Sequence, residues 1–270
     1  MIRIKWLMLG SCLLLCLMGC EHKEQPKLNR DQTRYELNHF LFGVKDSDGK
    51  RVGPGNNIFS DSKEVVFQDE SGGIHLSLRG RKNEVLAAEI VSLDAKGWGR
   101  YEFVLEGNLD QIPAHVMVSP FLYADDKNEV DIEFSTWDET DNEQESPWLK
   151  EGNYQFVVQP YNQVGNSIRP TERLVLDCEE GIPLTSYRIY NLEDKVQIEM
   201  YEGRFEAGRF EAGRLIDRWD YPHGILEGDE MRFHLNIYVK DGNLSKVQEL
   251  SEPIEIILKE FNFIDASDLH

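Results

Sequence analysis

Apolar and polar residues alternate along most of the chain in short runs. These runs are separated by Gly, Asn and Asp residues typical of turns, and no stretch sustains an apolar stripe with the 3.6-residue period of a helix. Alternation with a period of two indicates strands that bury one face. Many short strands with few helices predict a β-sandwich or barrel. We predict strands at 73–79, 99–107, 115–124, 129–137, 153–160, 186–192, 195–201, 231–240 and 253–259.

The N-terminus has a different pattern. Arg3 and Lys5 precede an apolar run at 6–18, which is shorter than the ~20 residues that span a bilayer and is typical of a secretory signal peptide. The segment ends in LMGC, which resembles the cleavage box of bacterial lipoproteins. The resemblance implies that residues 1–19 are removed and that Cys20 carries lipid. A plain signal peptide followed by a chance cysteine is the alternative.

The remaining chain suits one domain. We predict that the polar segment 20–34 is a tether and that residues 35–270 form a single β-sandwich. If Cys20 is lipidated, Cys178 is the only thiol left in the mature chain, so no disulfide can form within it. We interpret Cys178 as a packed core residue and expect a monomer held by lipid at the membrane of the bacterial cell envelope, in the periplasm or on the outer surface.

Charge and missing motifs narrow the function classes. The chain has 49 acidic and 29 basic residues and a formal net charge of −20, which argues against nucleic acid as a partner because such a field repels phosphates. Its seven histidines form no HExxH motif and no Cys/His cluster, so no metal ligands are predicted. Gly-rich phosphate loops and a GxSxG elbow are also missing from the sequence.

One predicted strand, NEVDIEF at 128–134, carries an unusual set of side chains. Its alternation sets three acids against three apolar residues: Glu129, Asp131 and Glu133 opposite Val130, Ile132 and Phe134. Close like charges repel and Asp and Glu are poor strand formers, so stability alone does not select them. The same acid spacing in ETDNE at 139–143 has polar residues between the acids and therefore no buried face to align them. Two glutamates leaning over a shorter aspartate can approach the separation of about 5 to 5.5 Å that retaining glycosidases need.

NEVDIEF resembles the active-site strand of glycoside hydrolase family 16, the β-glucanase and laminarinase family. The family motif is Glu-x-Asp-x-Glu, or has one extra residue where the strand bulges; this chain resembles the unbulged form. Other stretches are similar in the same order: WGRYEF at 98–103, FLYADDKNEVDIEF at 121–134, SYRIYNLEDKVQIEMYEG at 186–203 and FHLNIYV at 233–239. The resemblance implies an all-β, concanavalin A-like sandwich (jelly roll) of two curved antiparallel sheets with a concave cleft.

The resemblance also implies roles. Glu129 would be the nucleophile, Glu133 the acid/base, and Asp131 the residue that orients and tunes them. Strand parity adds candidate substrate-binding residues on the faces opposite the apolar stripes: Arg100, Glu102, Trp137, Gln155, Asn236 and Tyr238. Asn191, Ser186 and Tyr238 depart from the family's usual Trp, His and Trp, which weakens any choice of substrate. No cofactor is expected, although the resemblance allows a structural calcium ion.

These observations predict a lipid-anchored retaining endo-glycosidase that hydrolyses a β-linked polysaccharide. A transglycosylase would use the same residues with a sugar in place of water. The sequence is also compatible with a lectin-like lipoprotein that binds carbohydrate without cleaving it, and with a structural envelope protein that has a vestigial site. The repeat of GRFEA at 203–207 and 208–212 is either a surface insertion or an arginine-bearing flap beside a binding site.

Overall fold

The structure is a computed structural model that describes residues 32–81, 84–113, 115–136, 152–159, 168–170, 174–176, 181–204, 213–225, 228–240, 242 and 252–269. The predicted signal peptide, Cys20, Cys178, Trp137 and residues 205–212 of the repeat lie outside these ranges. Within them, no helix has the length and apolar character that crossing a membrane requires.

The described chain is built almost entirely from strands. In chain order they are β1 (Arg34–Leu37), β2 (Phe40–Val44), β3 (Ile58–Phe59), β4 (Val66–Gln68), β5 (Ile74–Arg81), β6 (Glu84–Ser92), β7 (Gly99–Glu106), β8 (Val116–Asp125), β9 (Asn128–Phe134), β10 (Tyr154–Gln159), β11 (Ile168–Pro170), β12 (Leu184–Asn191), β13 (Val196–Glu202), β14 (Arg214–Tyr221), β15 (Arg232–Val239) and β16 (Ile254–Asp265). The only helices in the described ranges are short 3-10 turns at Leu109–Gln111, Gly228–Glu230 and Ala266–Asp268.

The strands form two layers. The first sheet has the order β11-β10-β9-β8-β15-β6-β2-β1, and the second has the order β4-β5-β16-β7-β12-β13-β14. Pairing of β5 with β6 joins the layers. Among the described pairs, only β3 with β6 is parallel. The predicted all-β antiparallel sandwich is confirmed.

Aromatic rings fill the space between the layers. Phe103 of the second sheet lies 4.9 Å from Phe233 of the first, and Phe42 lies 5.3 Å from Phe261, measured between ring centroids. All four rings are at most 1% exposed. Because inward positions recur every second residue, each strand that lines this core leaves its other side chains on an outer face.

The nine predicted strands are all present with shifted ends, and seven strands were not predicted. Strand β6 (EVLAAEIVS) is the most consequential of these, because every residue after Glu84 is buried. A strand covered on both faces shows no alternation, so its pattern carries no period-two signal. The first strand begins at Arg34, one residue inside the predicted tether.

Candidate active site

Strand β9 holds the three acids on the outer face of the first sheet, here called the acidic face. Val130, Ile132 and Phe134 are fully buried in the core between the layers. The ladder between β9 and β10 runs from Tyr154 opposite Phe134 to Gln159 opposite Glu129 without a register shift. The strand is therefore unbulged through the acids, as predicted, and the three carboxylates share one face.

The three acids differ in exposure. Glu129 is 6% exposed and Asp131 is 5% exposed, whereas Glu133 is half-buried. Gln155 lies directly across from Glu133 on β10, and its Nε2 donates a hydrogen bond to Glu133 Oε2. Gln155 Oε1 is buried and accepts no hydrogen bond within the described structure. Gln155 therefore orients the more open glutamate.

A row of polar side chains crosses the acidic face at the level of Glu133. The register sets Ser119 of β8 beside Glu133, pairs Ser119 with Asn236 of β15, and pairs Asn236 with Glu89 of β6. With neighbouring strands ~4.8 Å apart, the row from Gln155 to Glu89 is about 19 Å long. Asn236 Oδ1 is buried in this row without a hydrogen-bond partner among the described residues. The row has a length that suits an oligosaccharide, and its members other than Glu133 are between 3% and 8% exposed.

Tyr238 also faces the acids. It lies two residues beyond Asn236 on the same face of β15 and opposite Met117. Burial, followed by the charges of Glu133, Asp131 and Glu129, raises the pKa of the Tyr238 hydroxyl well above its usual value. The phenol therefore stays protonated and can only donate its hydrogen toward a negatively charged neighbour. The structure thus brings Gln155, Asn236 and Tyr238 together with the acidic strand.

Three further residues belong to this face, Lys45, Glu89 and His234, and none of them was predicted as a site residue. Glu89 is 3% exposed, its Oε2 lies 2.7 Å from Lys45 Nζ, and its Oε1 lies 3.1 Å from His234 Nδ1. Burial alone would raise the pKa of Glu89, but the Lys45 charge and the His234 hydrogen bond outweigh it and lower the pKa to about 2. Two signals were available in the sequence: an acid inside the apolar run of β6, and the alternation of β15, which puts His234 on the same face as Asn236.

The prediction that Arg100 and Glu102 line the cleft is wrong. Both lie on β7, which belongs to the second sheet, and Tyr101 and Phe103 between them face the core. Their side chains therefore lie on the outer face of the second sheet, across the sandwich from the acids. Parity correctly set them opposite the core stripe, but it does not tell which of the two outer faces a strand contributes to.

Trp137, the remaining candidate, lies outside the described residues. Within the described ranges, no group of three or more His, Cys, Asp or Glu side chains is arranged to hold a metal ion. The structural calcium ion that the family resemblance allows stays a prediction.

The fold resembles that of several solved glucanases. The β-glucanase of Bacillus licheniformis superposes with a TM-score of 0.54 at 16% identity, covering 87% of this chain and 98% of that one. A protein of Mycobacterium tuberculosis described as an immunostimulatory antigen and pseudo β-1,3-glucanase gives 0.56 at 15% identity, covering 83% and 91%. A family 16 glycosyl hydrolase protein of Mycobacterium smegmatis gives 0.50 at 13% identity, covering 83% and 92%.

No protein-family model matches the sequence, and no curated protein sequence is significantly similar to it. At such low identities the structural likeness shows a glycoside-hydrolase type of fold over nearly the whole chain, and it does not by itself show an activity.

Proposed function

We propose that the chain is a retaining glycoside hydrolase that cleaves a β-linked polysaccharide. Glu133 protonates the departing glycosidic oxygen while Glu129 attacks the anomeric carbon, and water then releases the sugar with Glu133 as the base. The observation that carries the proposal is the unbulged Glu-x-Asp-x-Glu strand on the outer face of a glucanase-like sandwich.

The surroundings of each acid support these roles. Glu133 is more open than Glu129 and is oriented by Gln155, which suits a group that must meet a leaving oxygen and later a water. Asp131 lies between the two glutamates on the same face of the strand, so a third carboxyl group stands beside them. Carboxylates that share one face of a strand at alternate positions resist ionising together, so we expect the group to titrate as a coupled unit that retains a proton at working pH.

The proposed setting is the bacterial cell envelope. A lipid on Cys20 would hold the sandwich at a membrane through the tether, as a monomer whose acidic face is open to polysaccharide. Radiolabelled palmitate incorporated into wild type but not into Cys20→Ala would support the anchor, and equal labelling of both would exclude it.

The reaction is tested by a screen for new reducing ends. Purified protein is incubated with laminarin, mixed-linkage β-glucan, agar and carrageenan, and binding to each polymer is measured in parallel. Reducing ends released by wild type and not by Glu133→Ala support the hydrolase. A polymer that is bound and left intact by wild type excludes the hydrolase and favours the lectin.

A carbohydrate-binding protein without hydrolytic activity has two observations in its favour. One structural neighbour is described as a pseudo β-1,3-glucanase, and Tyr238, which lies on the acidic face, stands where the resembled family frequently has tryptophan. The intact acidic strand favours the hydrolase. A transglycosylase would produce longer products when acceptor sugars are added to the active protein, and product analysis with and without acceptors distinguishes it.

A further inference from the structure

We propose that Lys45, Glu89 and His234 form a positioning unit that holds the aromatic side chains of Phe121 and Tyr123 beside the acidic strand. This inference rests on the proposed function, because it assigns the unit to the same site. The unit acts through neighbouring residues, so none of its three members is called catalytic.

The presence of a hydrogen on His234 Nδ1 follows from its partner. Glu89 is held ionised by Lys45, and an ionised carboxylate can only accept hydrogen bonds. His234 Nδ1, 3.1 Å from Glu89 Oε1, must therefore carry a hydrogen. Lys45 is fixed in turn by the Gly53 carbonyl at 3.0 Å and by the ring of Phe59 at 4.1 Å. The imidazole is thus locked in orientation by a chain of charged contacts.

The locked imidazole packs against two rings. The His234 ring stacks on Phe121 at 4.7 Å between centroids and meets Tyr123 edge-on at 5.8 Å. Phe121 is the cross-strand neighbour of Asp131, and Tyr123 is the cross-strand neighbour of Glu129. Both rings are at most 7% exposed, so they have little room to move if the imidazole stays in place. A continuous series of contacts therefore runs from Lys45 through Glu89 and His234 to Tyr123, which is the cross-strand neighbour of the proposed nucleophile.

Stability gives a poor reason for this arrangement. A buried ionic group is often no more stabilising than apolar side chains of the same shape, because desolvation offsets the attraction. The unit lies on the acidic face, where Glu89 also pairs across the strand with Asn236. Rigid charged contacts of this kind can instead hold the reacting carboxylates in their productive arrangement, which is a role that stability does not require.

The unit also sets the charge near the acids. The titratable and charged side chains that share this face around His234 are Lys45, Glu89, Tyr123, Glu129, Asp131, Glu133, Arg232 and Tyr238. Replacing Glu89 by Gln removes one negative charge about three strands from Glu133. A less negative surrounding favours ionised carboxylates, so the pKa values of both glutamates fall.

The test compares Glu89→Gln with Glu102→Gln. Both changes remove a buried carboxylate that contacts two basic side chains, but Glu102 lies on the opposite outer face. For Glu89→Gln we expect kcat to fall about tenfold with KM within about twofold, and both limbs of the kcat/KM pH profile to move roughly half a pH unit lower. Glu102→Gln should leave both quantities unchanged. Equal kinetics and equal pH profiles for the two variants would overturn the inference.

Nuclear magnetic resonance separates this inference from the proposed function. We expect the ring signals of Phe121 and Tyr123 to shift in Glu89→Gln and to stay in place in Glu102→Gln. Unchanged ring signals in Glu89→Gln would overturn the positioning unit even if the wild type cleaves polysaccharide. A wild type that cleaves nothing would overturn the proposed hydrolase activity. The ring signals would still decide whether Glu89 holds Phe121 and Tyr123 in position.

Discussion

The two outer faces of the sandwich arrange their charges in opposite ways. On the second sheet, Glu102, Arg188, Glu199 and Arg218 are successive cross-strand neighbours on β7, β12, β13 and β14. Their signs alternate, with contacts of 3.3 Å, 3.3 Å and 3.7 Å between successive members. We call this surface the ladder face. On the acidic face, three like charges follow one another along β9.

The difference distinguishes charged residues that stabilise the sheet from charged residues that serve the proposed reaction. Opposite charges across strands stabilise a sheet, and like charges close together destabilise it. The positions across from the three acids on β10 are Gln155, Val157 and Gln159, none of them basic. Cross-strand pairing with β10 therefore gives no reason for three acids in a row on this face, which is a pattern typical of functional sites.

The largest expected effect is on turnover. Replacing Glu129 or Glu133 by Ala should lower kcat by ~1,000-fold or more, because each removes a group that bonds or transfers a proton in the reaction. Glu199→Gln on the ladder face is the matched control and should keep kcat within about twofold. Steady-state rates on the polymer found by the screen check this. Comparable losses of kcat in all three variants would contradict the assignment of the reaction to the acidic face.

The second prediction concerns stability and has opposite signs on the two faces. Arg188→Met should lower the free energy of unfolding by about 3 kcal/mol, because it leaves Glu102 and Glu199 buried without their shared cation. Glu129→Gln should be neutral or raise it by roughly 0.5 kcal/mol, because it relieves like-charge repulsion. Denaturant unfolding at neutral pH measures both, and destabilisation by Glu129→Gln as large as that by Arg188→Met would contradict this contrast.

These contrasts also show what could be predicted from sequence. The acids of β9 were found because apolar residues between them fix a buried face. The assignment of Arg100 and Glu102 failed because a period of two fixes the side of a strand and not the sheet to which it belongs. The unit of Lys45, Glu89 and His234 comes from three distant segments that only strand pairing brings together, and Glu89 lies on a strand without alternation.

The third prediction concerns how the charge of Glu89, on the acidic face, affects stability as the pH changes. The pKa of Glu89 is lowered from its ordinary value of 4.5 to about 2, so its ionisation stabilises the fold above pH ~4.5, and this contribution is lost as pH falls toward 2. Glu89→Gln should therefore lower the free energy of unfolding by up to about 3 kcal/mol at pH 7. The difference in free energy of unfolding between Glu89→Gln and wild type should disappear near pH 2. A gap that is constant between pH 7 and pH 2 would show that the charge of Glu89 is not the cause.

The smallest predicted effect concerns Tyr238. Removing its hydroxyl in Tyr238→Phe should reduce kcat/KM by roughly tenfold, because one hydrogen-bond donor beside the acids is lost while the ring remains. Tyr190→Phe, on the ladder face, is the matched control, and its kcat/KM should be unchanged. A Tyr238→Phe variant as active as wild type would mean that only the ring of this residue matters.

The roles proposed for the two glutamates are tested most directly by azide rescue of Glu129→Ala and Glu133→Ala on an activated aryl glycoside of the polymer identified by the screen. We expect an α-glycosyl azide from Glu129→Ala, because azide replaces the nucleophile in a single inversion. We expect a β-glycosyl azide from Glu133→Ala, because azide intercepts the glycosyl-enzyme in a second inversion. Reversed configurations, the same configuration from both variants, or no azide product from either would contradict the assignment.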